Sequence, residues 1–281
     1  MTSDWLPAVL AVAPNGARKT KADHPAVPLT PGELAATAAA CKAAGAAMIH
    51  LHVREGGGGH SLDAGLYGEA IAAVRAAVGD GLMIQMTTES VGRYSPAEQM
   101  AAVRAVMPEA VSLAVRELLA DGEAELAAAP FLAEMAEADV ALQYILYDAT
   151  DLDHFETLLA RRIIPRSGYS LLFVLGRYSP GQRSQPADLL PFLAAGGGRH
   201  PWAVCAFGPK ETACAAAAAA LGGHARVGFE NNLLLPDGQT AADNATLVAA
   251  TAQAIRALGR PLADAETARR LLRAGAAVSA G

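Results

Sequence analysis

Short apolar runs alternate with helix-like segments along nearly the whole chain of 281 residues. Runs of this length, bounded by glycine, proline or polar residues, predict β-strands. The segments between them carry apolar residues at spacings of three and four, which predicts helices. The predicted strands cover residues 8–14, 48–54, 82–88, 110–115, 141–148, 170–176, 202–208 and 225–230.

This alternation of strands and helices predicts a (β/α)8 TIM barrel. Proline lies at or near the start of the predicted helices 31–46, 95–107 and 209–223, and Gly45 lies near a helix end, as helix boundaries require. A doubly wound open sheet is the alternative, but no G-x-G-x-x-G motif follows the first predicted strand. Because no low-complexity linker interrupts the alternation, we expect residues 1–281 to form one TIM-barrel domain.

The composition argues against several kinds of partner. Apolar residues make up 52% of the chain and the net charge is −6, without basic runs. We therefore expect no nucleic-acid partner and no membrane partner. The three cysteines form no C-x-x-C motif and no even set, which argues against a disulfide framework. The stretch WLPAVLAVAP is too short to span a membrane and lacks a basic segment, so a cytoplasmic protein is expected.

Two histidines interrupt the second predicted strand, in the stretch MIHLHVREGGGGH. Side chains alternate along a strand, so His50 and His52 point to the same face. Such a pair consists either of hydrogen-bonded core histidines or of two ligands for one metal ion. In a TIM barrel the functional site lies at the carboxyl ends of the strands, where these two residues are expected. The four glycines that follow predict a mobile segment able to lie close to a ligand.

Glu230 is a candidate third ligand, in the stretch HARVGFENN at the last predicted strand. By alternation, His224, Arg226 and Glu230 share one face of that strand. In a closed barrel the first strand separates it from the second, which places their backbones roughly 10 Å apart. Two imidazoles and a carboxylate across that gap are typical of zinc sites used for Lewis-acid catalysis. A metal site formed by His50, His52 and Glu230 is therefore favoured over structural histidines.

The other histidines are weaker candidates for function. His24, His154 and His200 are expected in loops or on helix surfaces. His60 follows the glycine run, where it could contact a ligand as part of a lid. His224 is expected to be a hydrogen-bonded histidine at a strand start.

Two further polar residues are expected at the barrel mouth. Arg226 would be a buried guanidinium and needs a partner. It could support Glu230 or bind a substrate carboxylate through its planar fork, and both roles stay open. Thr87 shares the inward face of its strand with Gln85. Its hydroxyl could contact substrate, although threonine is also an ordinary strand residue.

Several stretches together resemble one known family. AGAAMIHLHVRE, GGHARVGFENN and GRPLADAETAR are similar to the β-keto acid cleavage enzymes, whose best-known members cleave 3-keto-5-aminohexanoate. The similarity covers nearly the whole chain and includes NGARKTKADHPAVPLTP, IQMTT, FVLG and WAVCAFG. The H-x-H strand and the GFENN ending are together fairly specific to this family.

The resemblance implies a TIM barrel, a homotetramer and a divalent ion, Zn²⁺ or another metal, bound by His50, His52 and Glu230. It implies a reaction in which a β-keto acid and the co-substrate acetyl-CoA give acetoacetate and a new acyl-CoA. A metal that binds the keto oxygen and the carboxylate lowers the cost of forming the enolate. By the same resemblance, Thr87 matches a residue that hydrogen-bonds the reacting groups, and Arg226 matches an arginine that supports the residue after Glu230.

Two positions depart from the family pattern. Relatives have an aspartate after the metal-binding glutamate, as the proton acceptor, whereas this chain has Asn231, whose amide is no base at neutral pH. Lys210, in the loop FGPKETA, either meets a CoA phosphate at a helix N-terminus or is simply exposed. Two other functions therefore stay open: a metal-dependent lyase or hydrolase that does not use CoA, and a metal-binding protein without turnover.

Arg18 and Ile145 bear on the tail of the substrate. By the resemblance, members that accept an amino-substituted β-keto acid carry glutamates at the matching positions. An ammonium group would meet an arginine here, at a cost on the order of 1 kcal/mol in a partly dry site. We therefore expect an anionic tail bound by Arg18, with a neutral aliphatic tail against Ile145 as second choice. The alternative is that Arg18 points to solvent.

Overall fold

The computed structural model describes residues 5–275 and contains a closed barrel of eight parallel strands. The barrel order is β1, β10, β9, β8, β7, β6, β5 and β2, and β1 pairs with β2 to close the ring. Two short strands, β3 and β4, form a separate antiparallel hairpin. The predicted TIM barrel is therefore confirmed. The strands are β1 (Leu10–Val12), β2 (Met48–Leu51), β3 (Val53–Arg54), β4 (His60–Ser61), β5 (Met83–Thr87), β6 (Ala110–Ala114), β7 (Ala141–Leu146), β8 (Tyr169–Leu175), β9 (Trp202–Ala206) and β10 (His224–Val227).

Helices cover the outside of the barrel, and their ends follow the expected capping chemistry. At the first helix the Thr30 hydroxyl accepts from the backbone N–H of Glu33, the Glu33 carboxylate accepts from Thr30 N–H, and Pro31 is the first helical residue. The helix ends at Gly45, whose φ of 115° is in the left-handed region that glycine tolerates. The helices are α1 (Pro31–Ala44), α2 (Ala64–Val78), α3 (Pro96–Val106), α4 (Val115–Leu118), α5 (Gly122–Glu137), α6 (Ala149–Ala160), α7 (Leu190–Ala194), α8 (Glu211–Ala220), α9 (Asn244–Ala257) and α10 (Ala265–Leu272).

The interior of the barrel is apolar at its base and polar at its mouth. Small and flexible apolar side chains, among them Ala11, Met48, Met83 and Ala110, pack together at the amino ends of the strands. A much larger apolar cluster fills the space between the strands and the outer helices. Packing at the base leaves room for polar groups at the carboxyl ends of the strands, where the sites of TIM barrels lie.

The glycine run after Arg54 forms a turn with defined hydrogen bonds. Gly56–Gly59 makes the turn of the β3–β4 hairpin, with Glu55 N–H donating to Gly59 O at 2.9 Å. The Arg54 guanidinium donates to the backbone oxygens of Gly58 and Lys19, each at 2.9 Å. The hairpin is therefore tied to the loop after β1, because one arginine bonds both.

The last barrel strand is shorter than its sequence pattern predicts. It ends at Val227, and the chain then turns at Gly228, which has a φ of 138°. A Cβ at Gly228 would lie 2.5 Å from Ala13 O, so this turn requires glycine. Glu230 thus reaches the barrel mouth from a turn, not by alternation along the strand.

None of the helices within residues 5–275 has the length and apolar character needed to cross a membrane.

Candidate metal centre and active site

Three predicted ligands converge at the barrel mouth. His50 lies on β2, His52 follows that strand, and Glu230 lies in the turn after β10. The two histidine Nε2 atoms are 3.1 Å apart. Glu230 Oε2 is 3.6 Å from Nε2 of His50 and 3.4 Å from Nε2 of His52.

These three side chains fit a divalent ion. Ligand atoms about 2.0–2.1 Å from a tetrahedral ion lie roughly 3.3 Å from one another, close to the observed separations. Glu230 Oε2 is buried and has no hydrogen-bond partner among the described residues. A buried carboxylate oxygen without a donor is costly unless a cation is bound there.

Charge states at neutral pH also suit cation binding. Burial, together with the nearby charge of Arg226, lowers the pKa of His50 well below its ordinary value. Burial alone would raise the pKa of Glu230, but Arg226 and the two histidines outweigh it and hold that pKa well below its ordinary value. His50 is therefore neutral and Glu230 is ionised, as metal ligation requires.

A row of hydrogen bonds orients His50 from behind. His50 Nδ1 lies 2.8 Å from Gln85 Oε1, and Gln85 Nε2 donates to Gln143 Oε1 at 3.2 Å. Gln143 Nε2 then donates to Ser170 Oγ at 3.3 Å. Because the Gln85 oxygen can only accept, Nδ1 carries the hydrogen and Nε2 keeps its lone pair for a metal. We call Gln85, Gln143 and Ser170 the glutamine row.

Arg226 lies directly beside the carboxylate ligand. Its Nη2 donates to Glu230 Oε1 at 3.0 Å and to Cys205 Sγ at 3.4 Å. Its Nε and Nη1 are buried without partners among the described residues, and the side chain lines the cavity. Of its two open roles, support of Glu230 is thus seen in the geometry, and two donors stay free for a substrate.

Comparison with known proteins now assigns the family. The family model described as "beta-keto acid cleavage enzyme" matches residues 7–273. The chain belongs to the β-keto acid cleavage enzyme family. The resemblance deduced from the sequence is therefore confirmed.

Relatives in this family carry different substrate names. The chain is 29% identical to the 3-keto-5-aminohexanoate cleavage enzyme of Fusobacterium nucleatum subsp. nucleatum, over 94% of this chain and 97% of that protein. It is 27% identical to the 3-oxoadipate:acetyl-CoA acetyltransferase of Cupriavidus necator, over 95% of this chain and 94% of that protein. The apo structure of ObcA matches with a TM-score of 0.70 at 15% identity, over 89% of this chain and 66% of that chain, which supports the fold alone.

Three of the predicted site residues line the cavity of this β-keto acid cleavage enzyme beside the ligands. The buried Thr87 accepts from Glu89 N–H through Oγ1 at 3.0 Å. Arg18 is exposed and bonds Glu89 Oε1 at 2.8 Å. Ile145 lies in an apolar part of the lining.

Two others lie outside the lining of that cavity. Asn231 is buried, and both polar atoms of its side chain lack partners among the described residues. Arg226 contacts Glu230 and not this amide, although the resemblance implies support of the residue after Glu230. Lys210 precedes α8 and is exposed, with its ammonium donating to Gln185 Oε1 at 2.5 Å.

Sequence reasoning missed several cavity residues, because they lie beyond the ends of the barrel strands, where alternation predicts no direction. Lys19 donates to the backbone oxygen of Glu230 at 3.3 Å, and burial lowers its pKa. Glu89, Glu117 and Arg177 add two carboxylates and a guanidinium to the lining. These residues follow predicted strands directly, and that position could have identified them as candidates, because the sites of TIM barrels lie at the carboxyl ends of the strands.

Glu211 is a buried carboxyl just behind the metal-site turn. It accepts from Gly228 N–H at 3.0 Å and from Asn232 Nδ2 at 3.3 Å. Burial raises its pKa to about 8 despite these bonds. The first residue of α8 thus stabilises the turn that carries Glu230.

His24 and His200 lie in loops, as expected, but both side chains are buried. His200 lies between Tyr169 and Glu156, with Nδ1 2.9 Å from the tyrosine hydroxyl and Nε2 2.8 Å from the carboxylate. The ring of His24 packs against Phe229 at 4.5 Å between centroids. Loop sequences do not reveal such distant partners.

The remaining histidines have structural surroundings. His224 is at a strand start and accepts from Val9 N–H at 3.1 Å, which confirms the prediction. His154 is half-buried at α6. His60 is buried in the hairpin, with its ring centroid 5.3 Å from that of His52, so it packs beside the site.

Proposed function

We propose that this chain condenses a β-keto acid with acetyl-CoA, giving acetoacetate and a new acyl-CoA, at a zinc-type ion bound by His50, His52 and Glu230. The observation that carries the proposal is the convergence of three ligand atoms within 3.6 Å of one another at the barrel mouth. A divalent ion held by these three residues would supply Lewis-acid chemistry for the keto carbonyl.

The residues around the ligands prepare the substrate for carbon–carbon cleavage. Arg226 keeps Glu230 ionised and offers its free Nε and Nη1 to the substrate carboxylate. Thr87 presents its hydroxyl at the end of β5, within the same lining, for the reacting groups. Positioning of this kind contributes by aligning the bond that breaks.

The proton at C2 needs an acceptor other than Asn231, whose amide is not a base. Glu89 and Glu117 are the lining carboxylates that are not candidate metal ligands. Burial raises the pKa of Glu117, which suits a proton acceptor working near neutral pH. We assign the acceptor role to this pair, and Glu89→Gln and Glu117→Gln separate the two.

The tail of the substrate is neutral or anionic in this proposal. Ile145, Tyr147, Val174 and Phe207 give the cavity an apolar side that suits an aliphatic tail. Arg18 already bonds Glu89, so an anionic tail would have to share it. The neutral tail is therefore the better supported of the two, and an amino-substituted tail is disfavoured.

Asn231 supports one alternative. A metal-dependent lyase or hydrolase that uses water in place of CoA would not need a base at the position of Asn231. The ligand set is the same for both functions, so metal content does not separate them.

The test is a substrate panel with metal-loaded protein, assayed with and without acetyl-CoA. The panel contains β-keto acids with neutral, anionic and amino-substituted tails. Acetoacetate formed only with acetyl-CoA supports the proposal, and cleavage that needs no thioester supports the alternative. Efficient turnover of the amino-substituted acid would contradict the assigned tail.

A homotetramer, a cytoplasmic location and a CoA phosphate at Lys210 are further parts of the proposal. Light scattering on the purified protein measures the assembly. Lys210→Ala measures the phosphate contact through KM for acetyl-CoA, since loss of one exposed cation weakens phosphate binding.

A further inference from the structure

A groove of about 390 Å³ lies beside the active-site cavity, between the ends of β7 and β8. Tyr147, Val174 and Arg177 line both the groove and the cavity, so the two spaces adjoin. A long substrate bound with its reacting end at the metal site has a direct path into this groove.

The loop after β8 forms one side of the groove and is internally braced. Ser179 Oγ donates to Gly176 O at 3.0 Å and accepts from Arg183 N–H at 2.8 Å. A Cβ at Gly176 would lie 2.8 Å from the backbone of Arg183, so the two ends of the loop are packed together. The groove is thus formed before any ligand arrives, which lowers the cost of binding.

An aromatic ring stands open to solvent in this groove. Tyr178 is 68% exposed, and its ring is 5.0 Å from that of Tyr147. The guanidinium groups of Arg116 and Arg177 each lie 5.8 Å from the Tyr178 centroid. An exposed aromatic ring flanked by planar cations is a stacking surface for a nucleobase.

The cations of the groove are only partly neutralised. Arg116 is paired with Asp148 and Asp151. Arg177 has a carboxylate oxygen of Glu89 no nearer than 4.0 Å, and Arg183 makes no ion pair among the described residues. Guanidinium forks match phosphate oxygens well.

The carboxylates that line the groove form no ion pair with Arg177 or Arg183 among the described residues. Asp148 is engaged by Arg116 and caps α6, and Asp188 accepts from Gln185 N–H at 2.8 Å. The loop itself, residues 176–185, contains two arginines and no acidic residue. The groove therefore offers a base-stacking ring and two available guanidinium groups.

We infer that this groove binds the nucleotide end of acetyl-CoA, with adenine on Tyr178 and phosphates on Arg177 and Arg183. The inference rests on the proposed function for the identity of the ligand. It assigns the acetyl thioester to the cavity and places the pantetheine arm at the junction formed by Tyr147 and Val174.

The kinetic test compares acetyl-CoA with acetyl-pantetheine, which has the same reacting group but no nucleotide. We expect Tyr178→Ala and Arg183→Ala to raise KM for acetyl-CoA by about tenfold, the effect of losing one stacked base or one phosphate contact. KM for acetyl-pantetheine should not change. Tyr178→Phe keeps the stacking ring and should recover most of the affinity that Tyr178→Ala loses. Arg166→Ala removes an exposed arginine before β8, at the other end of the barrel, and should behave like the parent.

An equal rise in KM for both thioesters, or no rise for either, would overturn the inference. Calorimetry with adenosine 3′,5′-bisphosphate tests the groove without any turnover. If the parent binds this bisphosphate and Tyr178→Ala and Arg183→Ala do not, the inferred nucleotide site is supported. This holds even if neither thioester is a substrate, a result that would contradict the proposed function alone. If the parent turns over acetyl-CoA but does not bind adenosine 3′,5′-bisphosphate, the proposed function is supported. The inference that the groove binds the nucleotide is then contradicted.

Discussion

The two sides of the barrel mouth are built from different interactions. On one side His50, Gln85, Arg226 and Glu230 form a polar wall in which directional hydrogen bonds and charges fix each group. On the other side Ile145, Val174 and Phe207, with their apolar neighbours, form an apolar wall fixed by non-directional contacts. The difference suggests a division of labour, in which the polar wall performs the chemistry and the apolar wall selects the tail.

This comparison has an energetic reason. A buried hydrogen bond that loses one partner leaves the other unsatisfied, at about 1–3 kcal/mol. An apolar contact that loses a methylene costs roughly 1 kcal/mol and leaves nothing unpaired. Substitutions on the polar wall should therefore be far more damaging to activity than those on the apolar wall.

Removal of a metal ligand should have the largest effect on the polar wall. We expect His50→Ala and Glu230→Gln each to weaken metal binding by more than about a hundredfold, since even a lost hydrogen-bond partner of a ligand costs roughly ten- to a hundredfold. Elemental analysis after dialysis measures it. His154→Ala, at a half-buried position on α6, is the control and should keep its metal. Full metal retention in both ligand variants would refute the site.

Substitution of Arg226, which removes its planar guanidinium group, should have the second-largest effect. Arg226→Lys keeps the charge but cannot bond Glu230 and a substrate carboxylate together, so turnover should fall about a hundredfold while the thermal midpoint changes little. Steady-state kinetics and thermal unfolding on the same sample provide the test. Parent-like turnover would show that the fork is not used.

The glutamine row should matter less, because it acts through His50. Gln85→Met keeps the volume but removes the acceptor for His50 Nδ1–H, and metal affinity should fall roughly tenfold. Competition with a chelator measures this affinity. Gln239→Met, at an exposed position outside the barrel, serves as the matched control. An unchanged affinity in Gln85→Met would limit the polar wall to the ligands and Arg226.

A change on the apolar wall should alter selectivity and leave the metal in place. Ile145→Val removes one methylene, worth roughly 1 kcal/mol, so kcat/KM for a neutral aliphatic tail should drop about fivefold. Metal content should equal that of the parent. If Ile145→Val instead lost metal, the two walls would not be separate in function.

The smallest expected effect on activity concerns Glu211, behind the polar wall, where the change is in how stability depends on pH. Its pKa is raised from the ordinary 4.5 to about 8, so the folded state binds a proton more tightly than the unfolded chain does. Stability is therefore lost as pH rises from 4.5 to about 8. Glu211→Gln removes this titration, and its thermal midpoint should fall less than that of the parent over this range. Identical pH profiles would contradict the raised pKa.

Most of what the sequence predicted about the fold and the candidate metal ligands came from the alternation of side chains along strands. His50 and His52 follow from alternation on one strand, and barrel closure brings β2 and β10 to either side of β1. Glu230 was found for a partly wrong reason, because the turn at Gly228 and not alternation delivers it.

Features on loops could not be predicted in this way. Alternation says nothing about a side chain beyond a strand end, so the pairing of Arg18 with Glu89 and the position of Lys19 came only from the structure. The glutamine row could have been anticipated, since Gln85 and Gln143 are polar residues at inward strand positions. Their mutual distances depend on barrel register, which the sequence pattern leaves open.

The place of β1 between β2 and β10 has a consequence for the order of events during synthesis. His50 and His52 leave the ribosome long before Glu230, because chains are made from the N-terminus. β10 can dock on β1 only after the other seven barrel strands have been translated. A nascent chain that stops before Glu230 presents two imidazoles without their carboxylate. Tight metal binding would therefore require that β10 has paired with β1. The bound ion would then stabilise the closed barrel in a late step of folding.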